Sequence, residues 1–376
     1  MNPVDHHHMT AALVLARRNL GSTWPNPSVG CVLVRGGVVV GRGTTAPGGR
    51  PHGEAVALDM AGERASGATA YVALEPCAHR RNGSSCSDSL VRAGVERVVV
   101  PMTDPDPRTS GRGIMRLREA GIDVDVGALA DEAHDIHAGF TSRIITGRPL
   151  VTLKVAASLD GRIATATGES QWITGRQARR AAHGLRLHHD AVLIGRGTAD
   201  IDDPLLTCRL DGLEHRSPVR IVADSNLGLS RKSALVASAG DIPTWIVCGR
   251  DADVARKEAL RNAHVDVIEV DRDHSGRVSP KAMMAALGSR GLTRLLVEGG
   301  AMLAGSLVRD DLVDRVAWFH APLLLGHEAA ASLAGLEVES LTDARRWRVL
   351  FHRTWGQDGL TVLASGDNAS ACSPVS

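Results

Sequence analysis

Three side chains in the first quarter of the sequence, His52, Cys77 and Cys86, have the types and spacing to hold a metal ion. One imidazole and two thiolates make three zinc ligands and leave the fourth position open. A structural zinc site closes that position with another protein ligand, whereas a catalytic site keeps it for water or substrate. Glu54 follows the His closely enough to act beside the metal without binding it. Zinc acidifies water to near neutral pH. A carboxylate at that place takes the proton and passes it to a leaving amine. The set therefore suits hydrolytic deamination at an amidine-like ring carbon.

The pattern H-x-E followed by P-C-x-x-C is the signature of zinc nucleoside and nucleobase deaminases. His52-Gly53-Glu54 and Pro76-Cys77 fit it, but the spacer 78–85 before Cys86 is longer than that pattern allows. The spacer, Ala78-His79-Arg80-Arg81-Asn82-Gly83-Ser84-Ser85, is polar and basic, suited to a loop over the pocket that meets an anionic group. A structural zinc knuckle is the bland alternative.

Placing these residues requires a sizeable scaffold. At 376 residues, 43% apolar and 23% charged, the chain suits two globular domains. A net charge of +1 gives no global field for nucleic acid, and 3% aromatic residues leave little to stack bases on. No apolar run reaches membrane-spanning length, and residues 1–10 lack a signal pattern. The 6 cysteines are scattered, which points to a reducing cytoplasm.

Asp5 is expected to cap a helix running to about Asn19, with His6-His7-His8 at its solvated start. In Trp24-Pro25-Asn26-Pro27-Ser28-Val29-Gly30 the prolines restrict the backbone around Asn26, whose amide either reads a pyrimidine edge or merely serves the turn. A hairpin about Gly36-Gly37, a Gly-rich loop over 41–50 and a helix from His52 to Gly62 follow. A strand over 70–74 leads to Pro76-Cys77, where a helical turn starting at Cys77 would favour its thiolate, and the next helix is expected at about Ser87 to Ala93. Further strands and helices alternate to about Ile145, implying a mainly parallel sheet covered on both faces. The joint falls at Thr146-Gly147-Arg148-Pro149. Beyond it lies a second α/β unit, in which Gly195-Arg196-Gly197 and Glu298-Gly299-Gly300 are strand-to-helix turns able to face phosphate. Neither matches the G-x-G-x-x-G fingerprint. The end of the chain, 366–376, reads as a disordered tail.

These motifs resemble the bifunctional deaminase–reductase family of bacterial riboflavin biosynthesis, from about Thr10 to Ala364. The resemblance is carried by Pro25-Asn26-Pro27-Ser28-Val29-Gly30, His52-Gly53-Glu54, Leu74-Glu75-Pro76-Cys77-Ala78-His79, Asp104-Pro105-Asp106-Pro107 and Gly111-Arg112-Gly113. In the second half it rests on Lys154 through Ala164, Gly168-Glu169-Ser170-Gln171-Trp172-Ile173-Thr174, Asp202 through Arg209, and Val297-Glu298-Gly299-Gly300. It implies a cytidine-deaminase-like α/β/α domain over 1–146 and a dihydrofolate-reductase-like α/β domain over 149–365. One zinc would sit on His52, Cys77 and Cys86, with Glu54 as the proton shuttle and Asn26 holding the pyrimidine. NADPH would be bound by Ala156, Trp172, Thr198 and Asp202 with Gly300, Ala301, Met302, Leu303, Ala304, Gly305 and Ser306. Ser170, Arg186, Leu206, Arg209, Glu298 and Lys154 would meet the substrate, the two arginines through its phosphate.

The implied substrate is a small pyrimidine ribosyl phosphate. The implied assembly is a homo-oligomer, dimer or tetramer, in the cytoplasm, with no nucleic acid or membrane partner. The chain departs from the family pattern at Gly53, where Ala is usual, at Thr45, where His is common, and at Asn82, where a basic residue is expected and Arg80 or Arg81 stands nearby. No departure removes a zinc ligand or Glu54. Two other readings are a nucleic-acid or free-base deaminase with an appended domain, and a non-catalytic zinc module that senses a nucleotide. Near-neutral charge argues against the first and the intact Glu54 against the second.

Overall fold

The computed structural model describes residues 2–79 and 85–366. Residues 80–84 of the basic spacer, which include Arg80, Arg81 and Asn82, and the tail from 367 onward lie outside the described residues. The chain divides into two compact units between Gly147 and Arg148.

The first unit comprises α1 (Pro3–Arg18), β1 (Gly30–Arg35), β2 (Val38–Thr44), α2 (Gly53–Ala61), β3 (Thr69–Val72), α3 (Cys86–Arg92), β4 (Arg97–Val100), α4 (Arg112–Glu119), β5 (Asp123–Val126) and α5 (Ala130–Thr146). Its sheet order is β2-β1-β3-β4-β5. β2, β3, β4 and β5 run in one direction, while β1 runs antiparallel to both its neighbours. The sheet is mainly parallel in direction, as expected, with β1 as the exception. The turn at Gly36-Gly37, with φ of 56° and 78°, makes a hairpin and is far too short for a crossover. Helices α1 and α5 cover one face, and α2, α3 and α4 the other.

The stretch expected as a loop over 41–50 begins as strand, since β2 runs to Thr44, and is loop only beyond it. Its glycines serve packing. A Cβ on Gly41 or Gly43 would stand 2.2 Å and 2.3 Å from the carbonyl oxygens of Ala57 and Gly53, so their absence lets α2 lie directly on the strand.

The N-terminal cap also differs from expectation. Asn2, not Asp5, caps α1, its Oδ1 accepting the Asp5 backbone N–H at 2.7 Å with Pro3 at the first helical position. Asp5 turns inward, accepts the Tyr71 hydroxyl at 2.7 Å and takes both terminal nitrogens of Arg97 at 2.8 Å and 2.9 Å. This ties α1 to β3 and β4. His6 and His7 are solvated as expected, but His8 is buried with its ring 5.1 Å from that of Tyr71. Helix α5 ends at Gly147, where φ of 73° favours glycine.

The second unit comprises β6 (Leu150–Ser158), β7 (Arg162–Ala164), α6 (Arg176–Leu187), β8 (Ala191–Gly195), α7 (Arg196–Asp202), β9 (Val219–Ala223), α8 (Ala234–Ala237), β10 (Thr244–Gly249), α9 (Val254–Arg261), β11 (Val265–Val270), α10 (Pro280–Ser289), β12 (Arg294–Gly299), α11 (Ala301–Arg309), β13 (Arg315–Ala321), β14 (Ala330–Ala331), β15 (Trp347–Trp355) and β16 (Asp358–Ser365). The 9-stranded sheet has the order β11-β10-β9-β8-β12-β6-β13-β16-β15. It is parallel from β11 to β13, and β16 and β15 add antiparallel strands at one edge. From β6 the chain steps outward through β8 to β11, then returns to insert β12 between β8 and β6. Ligands of open α/β sheets bind beyond the carboxyl ends of strands at such a reversal.

The Asp5 contacts generate a stability prediction. The Arg97 guanidinium first, with Tyr71 and Asn2, holds the Asp5 carboxyl below its ordinary 3.8, at about 2. Because the folded value is depressed, the stabilisation is full above pH 3.8 and is lost as pH falls through about 2. Asp5→Asn is expected to cost roughly 1–3 kcal/mol at pH 7 in denaturant unfolding. The difference from wild type should shrink toward zero near pH 2; a difference independent of pH would contradict the assignment.

Candidate active sites

The metal set is built by two helix starts and one extended segment. His52 is the N-cap of α2, Glu54 lies in that helix's first turn, and Cys86 is the first residue of α3. Cys77 follows β3 outside any helix or strand, so no helical turn starts there, whereas the helix expected at about Ser87 to Ala93 is present as α3. The helix amide still reaches Cys77, since the backbone N–H of Cys86 donates to its Sγ at 3.3 Å. His52 Nδ1 lies 3.3 Å from Cys86 Sγ and 3.8 Å from Cys77 Sγ, and all three donor atoms fall within 4.8 Å of one another. Tetrahedral zinc with ordinary Zn–S and Zn–N bonds needs separations of roughly 3.5–3.8 Å, so the donors fit. The Cys86 thiol first, then the His52 ring and the Cys86 amide, push the Cys77 thiol down to about 4, while Cys86 is pushed up.

Glu54 is 3% exposed, and its Oε2 is buried without a hydrogen-bond partner among the described residues. Burial pushes its carboxyl up. A buried orphan oxygen beside a three-donor set is what a proton shuttle at a metal needs. Gly53 has a packing reason: a Cβ there would stand 2.3 Å from the Val29 carbonyl oxygen. Thr45 is equally structural, its hydroxyl accepting the Val29 backbone N–H at 2.9 Å.

The set opens into a cavity of about 220 Å³ lined by Asn26, Arg50, His52, Glu54, Cys77, His79, Asp104, Asp106, Arg108, Phe140 and Arg143, among others. Asn26 is fixed by donating Nδ2–H to the Gly49 carbonyl at 2.8 Å. One wall is organised by a residue whose role sequence reasoning missed. Glu75 Oε2 accepts the backbone N–H groups of Asp104 and Gly111, and its Oε1 those of Gly113 and Ile114, at 2.8–3.2 Å. It thereby caps α4 and fixes the 104–113 segment. Its place in Leu74-Glu75-Pro76-Cys77, two residues before a metal-ligand candidate, was the available signal. Burial first, then the neighbouring Asp106, Glu75 and Cys77 charges, raise Asp104 to about 7 despite its bond from the Asp106 amide.

In the second unit the reversal point collects most of the residues that the resemblance singled out. β8 and β12 are neighbours, so the turns into α7 and α11 leave from adjacent carboxyl ends. Thr198 on α7 meets the Gly299-Gly300 turn: a Cβ on either glycine would lie 3.0 Å or 3.6 Å from its side chain. Gly300 has φ of 88° and caps α11, whose first turns contain Ala301, Met302, Leu303, Ala304, Gly305 and Ser306. This glycine cradle at two helix starts fits a dinucleotide's phosphates. Ala156 stands on β6, next to β12. Asp202 is exposed at the end of α7. Trp172 is 65% exposed with the Arg179 guanidinium 4.2 Å over its ring, so it is no core residue.

Beside the cradle lies a buried charge cluster. Arg186 binds Glu298 through Nε and Nη2, the latter at 2.9 Å, and donates Nη1–H to the Thr207 carbonyl at 2.8 Å. Lys154 Nζ is 4.0 Å from Glu298. Burial opposes the Glu298 charge, but Arg186 and Lys154 outweigh it and hold the carboxyl at about 2. Burial pushes the Lys154 ammonium down. His183 is lowered to about 4 by burial and by the Arg186 and Arg209 charges, and its Nδ1 accepts the Arg209 backbone N–H at 3.3 Å. Arg209 is exposed and Ser170 half-buried. Leu206 has its side chain in the apolar core and φ of 54°, so only its backbone faces outward.

Comparison with known proteins bears on both units. The family model described as the RibD C-terminal domain matches residues 149–360, and that for the cytidine and deoxycytidylate deaminase zinc-binding region matches residues 3–102. The riboflavin biosynthesis protein RibD of Escherichia coli is 40% identical over 365 residues, covering 94% of this chain and 97% of that protein. Acinetobacter baumannii RibD superposes with a TM-score of 0.86 at 35% identity, covering 96% of this chain and 99% of the other. A diaminohydroxyphosphoribosylaminopyrimidine deaminase/5-amino-6-(5-phosphoribosylamino)uracil reductase from Thermotoga maritima gives 0.85 at 30% identity, with coverage of 96% and 99%.

Glu75→Gln tests the organisation of the cavity wall. An amide keeps one acceptor oxygen but turns N–H groups toward two backbone N–H donors. Amide hydrogen exchange over 104–114 should accelerate, and unfolding stability should fall by roughly 1–3 kcal/mol. Native protection in this segment would rule out Glu75 as its anchor.

Proposed function

Because this chain belongs to the family of bifunctional riboflavin-biosynthesis deaminase–reductases, we propose that residues 1–146 carry its deaminase site and residues 149–365 its reductase site. The enzyme deaminates 2,5-diamino-6-(5-phosphoribosylamino)pyrimidin-4(3H)-one hydrolytically. It then reduces the ribosyl chain with NADPH, giving 5-amino-6-(5-phosphoribitylamino)uracil. Zinc and NADPH are its cofactors. The observation that carries the deaminase assignment is the orphan Glu54 oxygen buried beside the His52, Cys77 and Cys86 donors.

In the deaminase site His52, Cys77 and Cys86 hold the metal. Zinc supplies Lewis acidity that makes water nucleophilic near neutral pH. Glu54 takes the water's proton and delivers it to the departing amine. Burial favours its protonated form, which suits a group that must return the proton. Asn26, anchored at Gly49, presents its amide oxygen to the pyrimidine.

In the reductase site Ala156, Trp172, Thr198, Asp202 and Gly300–Ser306 bind the cofactor, which supplies the reducing equivalents. Lys154 and Glu298 face the sugar, and Ser170 and the Leu206 backbone position the substrate. Arg209 meets its phosphate. Arg186 adds positive field there while its fork holds Glu298 ionised.

The cytoplasm is the proposed compartment, since Cys31, Cys77, Cys86, Cys208 and Cys248 are all free thiols. No helix among the described residues is long and apolar enough to cross a membrane. A homo-oligomer, dimer or tetramer, is supported by the edge strand β15, which leaves Val349 and Phe351 45% and 46% exposed.

Two measurements follow. Glu54→Gln should abolish ammonia release, by about a hundredfold or more, while zinc content and reduction of pre-deaminated substrate persist. Ammonia release at the wild-type rate would remove Glu54 from the mechanism. Sedimentation should find a dimer or tetramer, and Phe351→Glu should weaken it; a monomer at micromolar concentration would refute the assembly.

A further inference from the structure

The deaminase cavity must hold a phosphate monoester, which carries roughly −1.5 to −2 charge at pH 7, yet its lining includes Glu54, Glu75, Asp104 and Asp106. Three arginines on the same lining, Arg50, Arg108 and Arg143, can offset those carboxylates. They are not equally prepared. Arg50 is exposed. Arg143 donates Nη2–H to the Pro25 carbonyl at 3.1 Å and lies 5.9 Å from the Phe140 ring centroid.

Arg108 ends a chain of carboxylate clamps. Glu75 fixes the Asp104 amide at 2.9 Å, Asp104 Oδ1 fixes the Asp106 amide at 2.8 Å, and Asp106 Oδ1 fixes the Arg108 amide at 2.9 Å. Asp106 is 4% exposed, and its carboxylate also grips the Arg108 guanidinium through Nε at 3.0 Å and through Nη2. Successive Asx-type turns make the segment rigid. The guanidinium is thus held on one edge by a buried carboxylate, while its side chain stays 62% exposed on the cavity rim. Ordering an arginine before its anion arrives reduces the entropy lost on binding. A guanidinium also presents further N–H groups to phosphate oxygens.

We propose that Arg108, oriented by the buried Asp106 carboxylate, binds the phosphate monoester of the deaminase substrate and makes that site selective for phosphorylated over unphosphorylated pyrimidine ribosides. The proposal rests on the deaminase reading of this cavity. Arg50 and Arg143 contribute field, and Arg108 contributes the directed bonds.

The test uses the full-length zinc-loaded protein, with ammonia release measured in the absence of NADPH. The substrates are the diaminopyrimidinone ribosyl phosphate and its dephosphorylated riboside, and the observable is the ratio of their kcat/KM values. Arg108→Ala should lower that ratio at least about tenfold, the loss of a charged hydrogen bond, chiefly through KM for the phosphorylated substrate. Arg108→Lys, which keeps the charge without the fork, should recover part of it. Inorganic phosphate, added as an inhibitor of riboside deamination, should show a higher Ki in Arg108→Ala than in wild type. An unchanged ratio in Arg108→Ala with native zinc content would overturn the proposal, as would equal losses on both substrates in Ala and Lys variants alike. Wild-type protein that releases ammonia from neither substrate would sink the deaminase reading itself, before any variant is compared.

Discussion

Three soft donors from positions 52, 77 and 86 lie within 4.8 Å of one another, and much of the first unit follows from holding them there. Two of them ride on helix starts, so α2 and α3 must both aim their amino ends at one point. That demands close approach of α2 to the sheet, and glycines 41, 43 and 53 provide it by presenting no Cβ to the backbone they touch. The third donor follows β3, and Glu75, two residues before it, draws in four backbone amides from the far wall. Metal site and cavity wall are therefore set by neighbouring residues on one segment. Glu54 is left buried in their midst, with one carboxylate oxygen unpartnered among the described residues.

The second unit solves a different problem with a similar device. A carboxylate, Glu298, is kept charged inside the protein by Arg186 and Lys154 at the end of β12. One residue later the chain turns through Gly299-Gly300 into α11, against Thr198 on α7. Because β8 and β12 are adjacent but distant in sequence, the sheet's reversal joins a polar floor to a glycine turn at two helix starts. Neither half of this site lies within one continuous motif.

What the sequence made legible was local chemistry. The His-x-Glu and Pro-Cys patterns, the strand–helix alternation and most element positions could be read from residue type and period. The failures share a physical cause. Gly41 and Gly43 look like loop glycines, but their meaning depends on a helix that begins at residue 53. Asp5 looks like a helix cap, but Arg97 and Tyr71 claim it from across the sheet. Cys77 lies outside any helix, yet the first amide of α3 reaches its sulfur, a contact between residues nine apart that no local pattern shows. The Glu75 network and the Asp106–Arg108 clamp were invisible because hydrogen bonds to backbone amides leave no pattern in the sequence. In the reductase half, motif resemblance named residues whose grouping only the sheet order explains.

The central claim is that one chain performs two ordered reactions, with zinc chemistry first. A mass-resolved time course of the zinc-loaded wild-type protein on the diaminopyrimidinone ribosyl phosphate, with and without NADPH, tests it most directly. Without NADPH the deaminated ribosyl compound and ammonia should accumulate together and stop there. With NADPH the ribityl product should follow, and no reduced species should retain the 2-amino group. NADPH oxidation that yields a reduced but undeaminated product, with no ammonia, would contradict the account.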